Sequence, residues 1–258
     1  MNLHTGSPQS EPAVTHDILG IKAASLRWTE AIDLLCRLVA ERRFTRVGFI
    51  NAHNANLATD DPSFRAALVD FLILPDGVGV DIAAKLLYGR MFAANLNGTD
   101  FIPAFFEALP GEVRVGLIGA RMESVNAATE ALKRLAPGHE FIAVHDGFFK
   151  PEDEPAILRK IEELHLDILL VAMGVPRQEK WVAHKIDARH CTLPIAVGAL
   201  FDFLGGTVPR APMWMRRLRL EWFYRLSHEP RRLWRRYVIG NPLFILRVLR
   251  QKLSGARG

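Results

Sequence analysis

Phe71-Leu72-Ile73-Leu74-Pro75-Asp76-Gly77-Val78-Gly79-Val80 joins an apolar run of strand length to the start of a helix. Pro75 and Gly77 punctuate the junction, and Val80 to Tyr88 (VDIAAKLLY) has the spacing of a buried helix. Asp76 therefore stands at the carboxyl end of a strand. In open α/β sheets that edge is where ligands bind, and glycines there let backbone N–H groups approach a phosphate. A carboxylate in that position suits a general base, or a metal or ribose ligand, and is equally readable as a turn or helix-capping residue.

Working outward, the same alternation recurs. Trp28 to Glu41 is read as an amphipathic helix, Arg46 to Ile50 as a strand ending in Asn51-Ala52-His53-Asn54, and Pro62 as the first turn of a helix reaching about Val69. Asn95 to Asp100 is a polar loop in which Thr99 or Asp100 is placed to cap a helix through Ala108. Strands follow at Val113–Ile118, running into Gly119, at Glu140–His145, at Asp167–Met173, ending at Gly174, and at Pro194–Val197. Helices are read at Glu123–Leu135, Glu152–Leu164 and about Gln178–His184. Strands alternating with helices of about ten residues imply parallel βαβ units, so the expected fold is an α/β, Rossmann-like parallel-sheet sandwich over residues 21–209. Residues 1–20, rich in Ser, Pro and Gln at their start and without an apolar core segment, are expected to be a disordered lead-in.

The chain carries a net charge of +5, unevenly placed. From Arg210 to Gly258 thirteen Lys/Arg face two acids, Glu221 and Glu229, giving +11 and leaving −6 on the rest. Residues 210–258 thus form a basic helical appendage, with Trp, Phe and Leu interleaved, that suits a membrane surface through residues 212–253. The alternative for these segments is a helical pair packed on the sheet, and Gly240-Asn241-Pro242 is read as a break between them. No run of about 20 uncharged apolar residues is present, so no span is expected. Cys36 and Cys191 stand alone and read as small buried hydrophobes of a reduced, cytosolic protein.

Five polar clusters fall where strands are expected to end: Asn51/His53/Asn54, Asp76, Asn97/Asp100, Gln178/Glu179 and Asp202. Parallel strands direct their carboxyl ends the same way, so together they suggest one cleft. Each has a plainer reading as well: His53 as a structural histidine, Gln178 and Glu179 as the first turn of a helix, Asp202 as a carboxylate accepting local hydrogen bonds between Phe201 and Phe203. There is no GxGxxG after the first strand, no GxxxxGK[ST], and no DxD or HExxH cluster. A transferase so built is expected to need no metal or other cofactor, with arginines neutralising a leaving diphosphate. A nucleic-acid-binding protein using the Arg/Trp segment is the alternative of another class.

LPDGVGV (74–80), NGTDF (97–101), MGVPRQEKW (173–181), VGALFDFLGGTVPRAPMW (197–214) and LEWFYRLSHEPRRLWRRY (220–237) together resemble the WecG/TagA/CpsF glycosyltransferases, glycosyltransferase family 26, over roughly residues 45–240. The resemblance implies an inverting enzyme, peripheral on the inner face of the cytoplasmic membrane, that moves a sugar from a UDP-sugar to a polyprenyl-diphosphate-linked saccharide in polysaccharide assembly. It implies Asp76 as base, and Arg225, Arg232 and Arg235 as ligands of the donor diphosphate. Gln178 and Asp202 fall in blocks that line the UDP pocket, and Gly119, Gly174 and Arg210 join the expected substrate-binding set. At Asn51-Ala52-His53-Asn54 the chain departs from the Thr-x-Asn pattern of many N-acetylmannosaminyl transferases, leaving the donor open between UDP-ManNAc or its uronic acid and UDP-Glc. A homo-oligomer is also left open, and no nucleic-acid partner is expected.

Overall fold

The structure, a computed structural model, describes residues 14–208, 210–212, 214–215 and 221–255; the side chain of Arg232 is outside that description. Eight strands form one sheet: β1 (Thr15–Ile18), β2 (Ile21–Ala24), β3 (Arg46–Ile50), β4 (Phe71–Pro75), β5 (Arg114–Gly119), β6 (Glu140–His145), β7 (Leu166–Ala172) and β8 (Cys191–Ala196). Their spatial order is β1-β2-β4-β3-β8-β7-β5-β6, and only the β1/β2 pair is antiparallel. The central strands are nearly continuous apolar runs because both faces of the sheet are covered.

Alternate strand residues send their side chains to opposite faces, and the two cores show which helices meet them. Val47, Leu117, Ile168, Leu170 and Ile195 pack with α1 (Trp28–Ala40), α5 (Gly98–Ala108), α6 (Met122–Leu135) and α9 (Leu200–Leu204). Ile50, Ile73, Ile118, Leu169 and Val171 pack with α2 (Ala52–Asp60), α3 (Pro62–Ala67), α4 (Val78–Tyr88), α7 (Glu154–Glu163) and α8 (Arg177–Lys185). The α/β sandwich expected from the alternation is the one observed. Neighbouring strands β3 and β8 are followed by helices on opposite faces, α2 and α9, so a crevice opens between their carboxyl ends. This is the topological switch point of the sheet.

Several expectations need correction. Thr15–Ile18 is not lead-in: it pairs with Ile21–Ala24 through a two-residue turn in which Leu19 (φ 55°) and Gly20 (φ 85°) are both left-handed. The buried positions are His16 and Ile18, flanking half-buried Asp17, an alternation that was present in the sequence. Residues 1–13 of the expected lead-in lie outside the described residues. Helix α2, unanticipated after β3, starts because Asn51 accepts from the N–H groups of His53 and Asn54, both at 3.1 Å. Asn97, not Thr99 or Asp100, caps α5 by accepting from Asp100 N–H at 3.0 Å.

The C-terminal part contains α10 (Glu221–His228), α11 (Pro230–Trp234), a π-helical turn (Arg235–Ile239) and α12 (Gly240–Gly255). Gly240-Asn241-Pro242 does not break the helix: residues 230–255 run on without interruption through the π-helical turn, and Pro242 lies just after that turn. Phe244 and Val248 of α12 are fully buried in the core that also holds α2 and α4. Arg247 reaches the Asn56 carbonyl at 3.0 Å and Asp60 at 2.6 Å, and Gln251 clasps β1 through the Asp17 carbonyl and Leu19 N–H, both at 3.0 Å. Residues 209, 213, 216–220 and 256–258 of the appendage lie outside the described residues.

Candidate active site

Register places the first polar residues. Ile50 of β3 lies opposite Pro75 of β4, so Asn51 and Asp76 leave the sheet side by side. Asp76 N–H donates to the Ile50 carbonyl at 2.8 Å, and Asn51 Nδ2 donates to Asp76 Oδ2 at 3.3 Å. Asn51 is oriented for this because its Oδ1 already accepts the two N–H groups that open α2. Gly77 then turns with φ 93°, a conformation side chains rarely adopt, and its N–H is held by Asn95 Oδ1 at 2.8 Å. Helix α4 begins there without a side-chain cap, so its first N–H groups face the crevice.

At the carboxyl ends of β3 and β4 lies a cavity of about 580 Å³. Its floor is Asn51, His53, Asp76 and the Gly77-Val78-Gly79 start of α4; one wall is Asn97, Thr99 and Asp100; the roof is Trp222, Arg225, Arg236, Tyr237 and Asn241 from the C-terminal helices. A Cβ on Gly79 would come within 3.1 Å of Ala52, so glycine is what lets α2 and α4 start this close together. Arg225 lies over the Phe203 ring at 5.2 Å, and its Nε is buried with no hydrogen-bond partner among the described residues. Arg225 also lines the cavity, and a guanidinium there is suited to an anionic ligand.

Electrostatics follow from this enclosure. Burial raises the Asp76 carboxyl above its ordinary value; the Asn51 hydrogen bond and the charges of Arg236 and Arg225 oppose that rise, and Asp100 adds to it. His53 is lowered to about 4, first by burial and then by Arg236, and is neutral at pH 7. Among titratable groups on the floor, an acid with raised affinity for protons sits beneath two guanidinium groups. The pair is arranged to accept a proton below and stabilise negative charge above.

The structure thus brings together Asn51, His53, Asp76, Asn97, Asp100 and Arg225, and leaves the rest of the expected set elsewhere. Arg210 borders the wall, donating to Asp100 Oδ1 at 2.7 Å. Asn54 turns away to the Phe49 carbonyl, 2.9 Å. Arg235 is exposed over the Trp234 ring, and the neighbouring Arg236 lines the cavity. Gln178 does not line the cavity: its Oε1 accepts from Gly174 and Gly198 N–H groups, each at 3.2 Å, tying the loop after β7 to the loop after β8. Glu179 is buried beside it, accepting from Gln178 Nε2 at 2.8 Å, and burial raises it to about 7. Asp202 accepts from Ser124 Oγ at 3.0 Å, joining α9 to α6. Gly119 packs against the Ala172 backbone with φ 125°. Arg232 contributes its backbone to α11, and its side chain is outside the described residues. Sequence reasoning missed Asn95, Trp222, Arg236, Tyr237 and Asn241; the Asn of NLNG and the second Arg of RRY were visible, but only tertiary packing selects them.

A doubly covered, mostly parallel sheet with a cavity at its strand ends lined by Asp76, Asp100, Glu221, Arg225 and Arg236 has the layout of a group-transferring enzyme. The chain belongs to the glycosyl transferase WecG/TagA/CpsF family, whose model matches residues 16–258. It is 34% identical over 206 residues, 78% of this chain and 77% of the relative, to the N-acetylglucosaminyldiphosphoundecaprenol N-acetyl-beta-D-mannosaminyltransferase of Bacillus spizizenii. It is 30% identical over 241 residues, 92% of each chain, to the Bacillus subtilis (strain 168) protein of the same name.

Proposed function

We propose that this glycosyltransferase moves a sugar from a UDP-sugar to a polyprenyl-diphosphate-linked saccharide by a single displacement with inversion. The relatives' names support an N-acetylglucosaminyl-diphosphate lipid as acceptor and N-acetylmannosamine as the transferred sugar. The observation that carries the reading is Asp76 in the same cavity as Arg225 and Arg236. Asp76 takes the proton of the acceptor hydroxyl, that oxygen bonds to the anomeric carbon, and the bond to the UDP oxygen breaks. The departing diphosphate meets Arg225, Arg236 and the uncapped start of α4. A general base contributes about 10²–10⁴ in rate, and fixed charges at the leaving group are often the larger contribution.

With two arginines at the leaving group, the reaction is expected to run without a metal. Among the described residues no cluster of three or more His, Cys, Asp or Glu side chains is placed to hold one, and no helix is long and apolar enough to cross a membrane. Membrane contact is assigned to the basic, aromatic C-terminal segment, where Trp214, Phe223 and Val238 are more than half exposed. The nucleic-acid reading gains no specific observation, since Arg225 and Arg236 face the cavity and Arg247 is tied to Asp60.

The test is a transfer and hydrolysis screen of UDP-ManNAc, UDP-GlcNAc and UDP-Glc with a short-chain lipid-diphosphate N-acetylglucosamine, with and without EDTA. Transfer from UDP-ManNAc, unchanged by EDTA, is expected; transfer from UDP-Glc alone would reassign the donor, and transfer from none would end the proposal.

A further inference from the structure

Helix α12 is seated by one face only. Phe244 and Val248 enter the core, while Arg247 and Gln251 on the same side fasten it to α2 and β1. Its other face is apolar too, with Leu246, Leu249 and Leu253 at 45, 40 and 68% exposure. An amphipathic helix that has already buried its stripe should present polar residues outward. Leu246 and Leu249, with Pro242 and Ile245, form one side of a shallow, open groove of about 660 Å³ that Trp222, Tyr237 and Val238 also line.

The groove is not separate from the catalytic cavity. Trp222, Tyr237, Asn241 and Ile245 line both, so apolar surface begins where the polar cavity ends. From Pro242 to Leu249 the helix carries that surface over about 10 Å. We infer that this groove is the binding site for the polyprenyl chain of the acceptor: the acceptor sugar reaches toward Asp76 in the cavity past Trp222, Tyr237, Asn241 and Ile245, and the first isoprene units lie along Leu246 and Leu249. The assignment rests on the acceptor class proposed above. It commits to the substrate's own chain as occupant, because continuity with the cavity is what a molecule with a polar head and an apolar tail requires. A bilayer surface alone would not require it.

Leu246 and Leu249 lie outside the catalytic cavity, which allows a separable test. The full chain is titrated calorimetrically with geranylgeranyl diphosphate and with single-isoprene dimethylallyl diphosphate, in detergent-free buffer. The longer probe is expected to bind at least about tenfold more tightly, as burial of several isoprene units should give. In the Leu246→Ser/Leu249→Ser variant, and independently in Val238→Ser, that advantage shrinks toward unity while binding of the shorter probe and of UDP is unchanged. No chain-length advantage in the wild type, or one that survives both variants, overturns the groove assignment. Co-sedimentation with anionic vesicles is followed in parallel: if the variants lose only vesicle binding, the surface serves the bilayer and the inference fails. Because the titration needs no turnover, it stands apart from the transfer screen, whose failure would remove the enzymatic reading and not the groove.

Discussion

Asn51 donates its side-chain amide to Asp76 across 3.3 Å, and the same Asn51 opens helix α2. One residue thereby fixes the proposed base and the floor on which it stands. Asp76→Asn is expected to lower turnover by about 10²–10⁴ while UDP affinity measured by calorimetry stays within a few-fold. Near-wild-type turnover in that variant would remove Asp76 from the role.

The pH dependence follows with its sign. Asp76 must be ionised to accept a proton, and burial raises its carboxyl above the ordinary 3.8. Activity is therefore expected to fall on the acid side through a limb displaced upward from that value. Asn51→Ala removes a hydrogen bond to the charged form, so the limb of kcat/KM should move to still higher pH. A limb unmoved in Asn51→Ala would show that Asn51 does not tune the acid.

Arg225→Ala and Arg236→Ala are each expected to reduce kcat/KM by about 10- to 1,000-fold, with UDP binding weakened in parallel. Arg225→Lys should recover only part of the loss, because an ammonium does not reproduce the planar contact over Phe203. Arg235→Ala, by contrast, should change UDP affinity little.

Glu179 offers a stability measurement independent of catalysis. Its carboxyl is raised from 4.5 to about 7 by burial, so the folded state holds a proton that the unfolded state has released. Stability from this group is full below the unfolded value and declines as pH rises toward about 7, a loss of roughly 3 kcal/mol on complete ionisation. Glu179→Gln, which mimics the protonated form, should melt progressively higher than wild type as pH goes from 5 to 8. Parallel melting curves across that range would contradict it.

Much of this molecule is legible from periodicity because the parallel sheet is covered on both faces, and apolar runs such as Leu166–Ala172 can hardly be anything but buried strands. Asn51 and Asp76 were legible for a related reason, since each directly follows a strand, whereas the helices that Asn51 and Asn97 cap were not read correctly. Gln178 and Asp202 stand at equally suggestive positions, yet their polar atoms are spent on Gly174, Gly198 and Ser124. Spacing cannot distinguish a carboxylate that meets a ligand from one that meets a serine. The roof was hardest, since Arg235 and Arg236 are adjacent and alike in the sequence and only the packing of the C-terminal helices puts Arg236 in the cavity.

Phe244→Ala tests how the roof is held. The ring is fully buried between α12 and the body while also reaching the cavity, so its loss should cost about 3–5 kcal/mol and depress activity beyond what the loss of folded protein explains. Thermal melting alongside specific activity separates the two effects.

That roof is drawn from residues translated long after the floor. A ribosome-bound chain that has already paired β3 with β4 and exposed Asp76 still lacks the guanidinium groups above it. On the proposed mechanism the site is complete only once the C-terminal helices have returned to the body, where Gln251 of α12 meets the N-terminal hairpin.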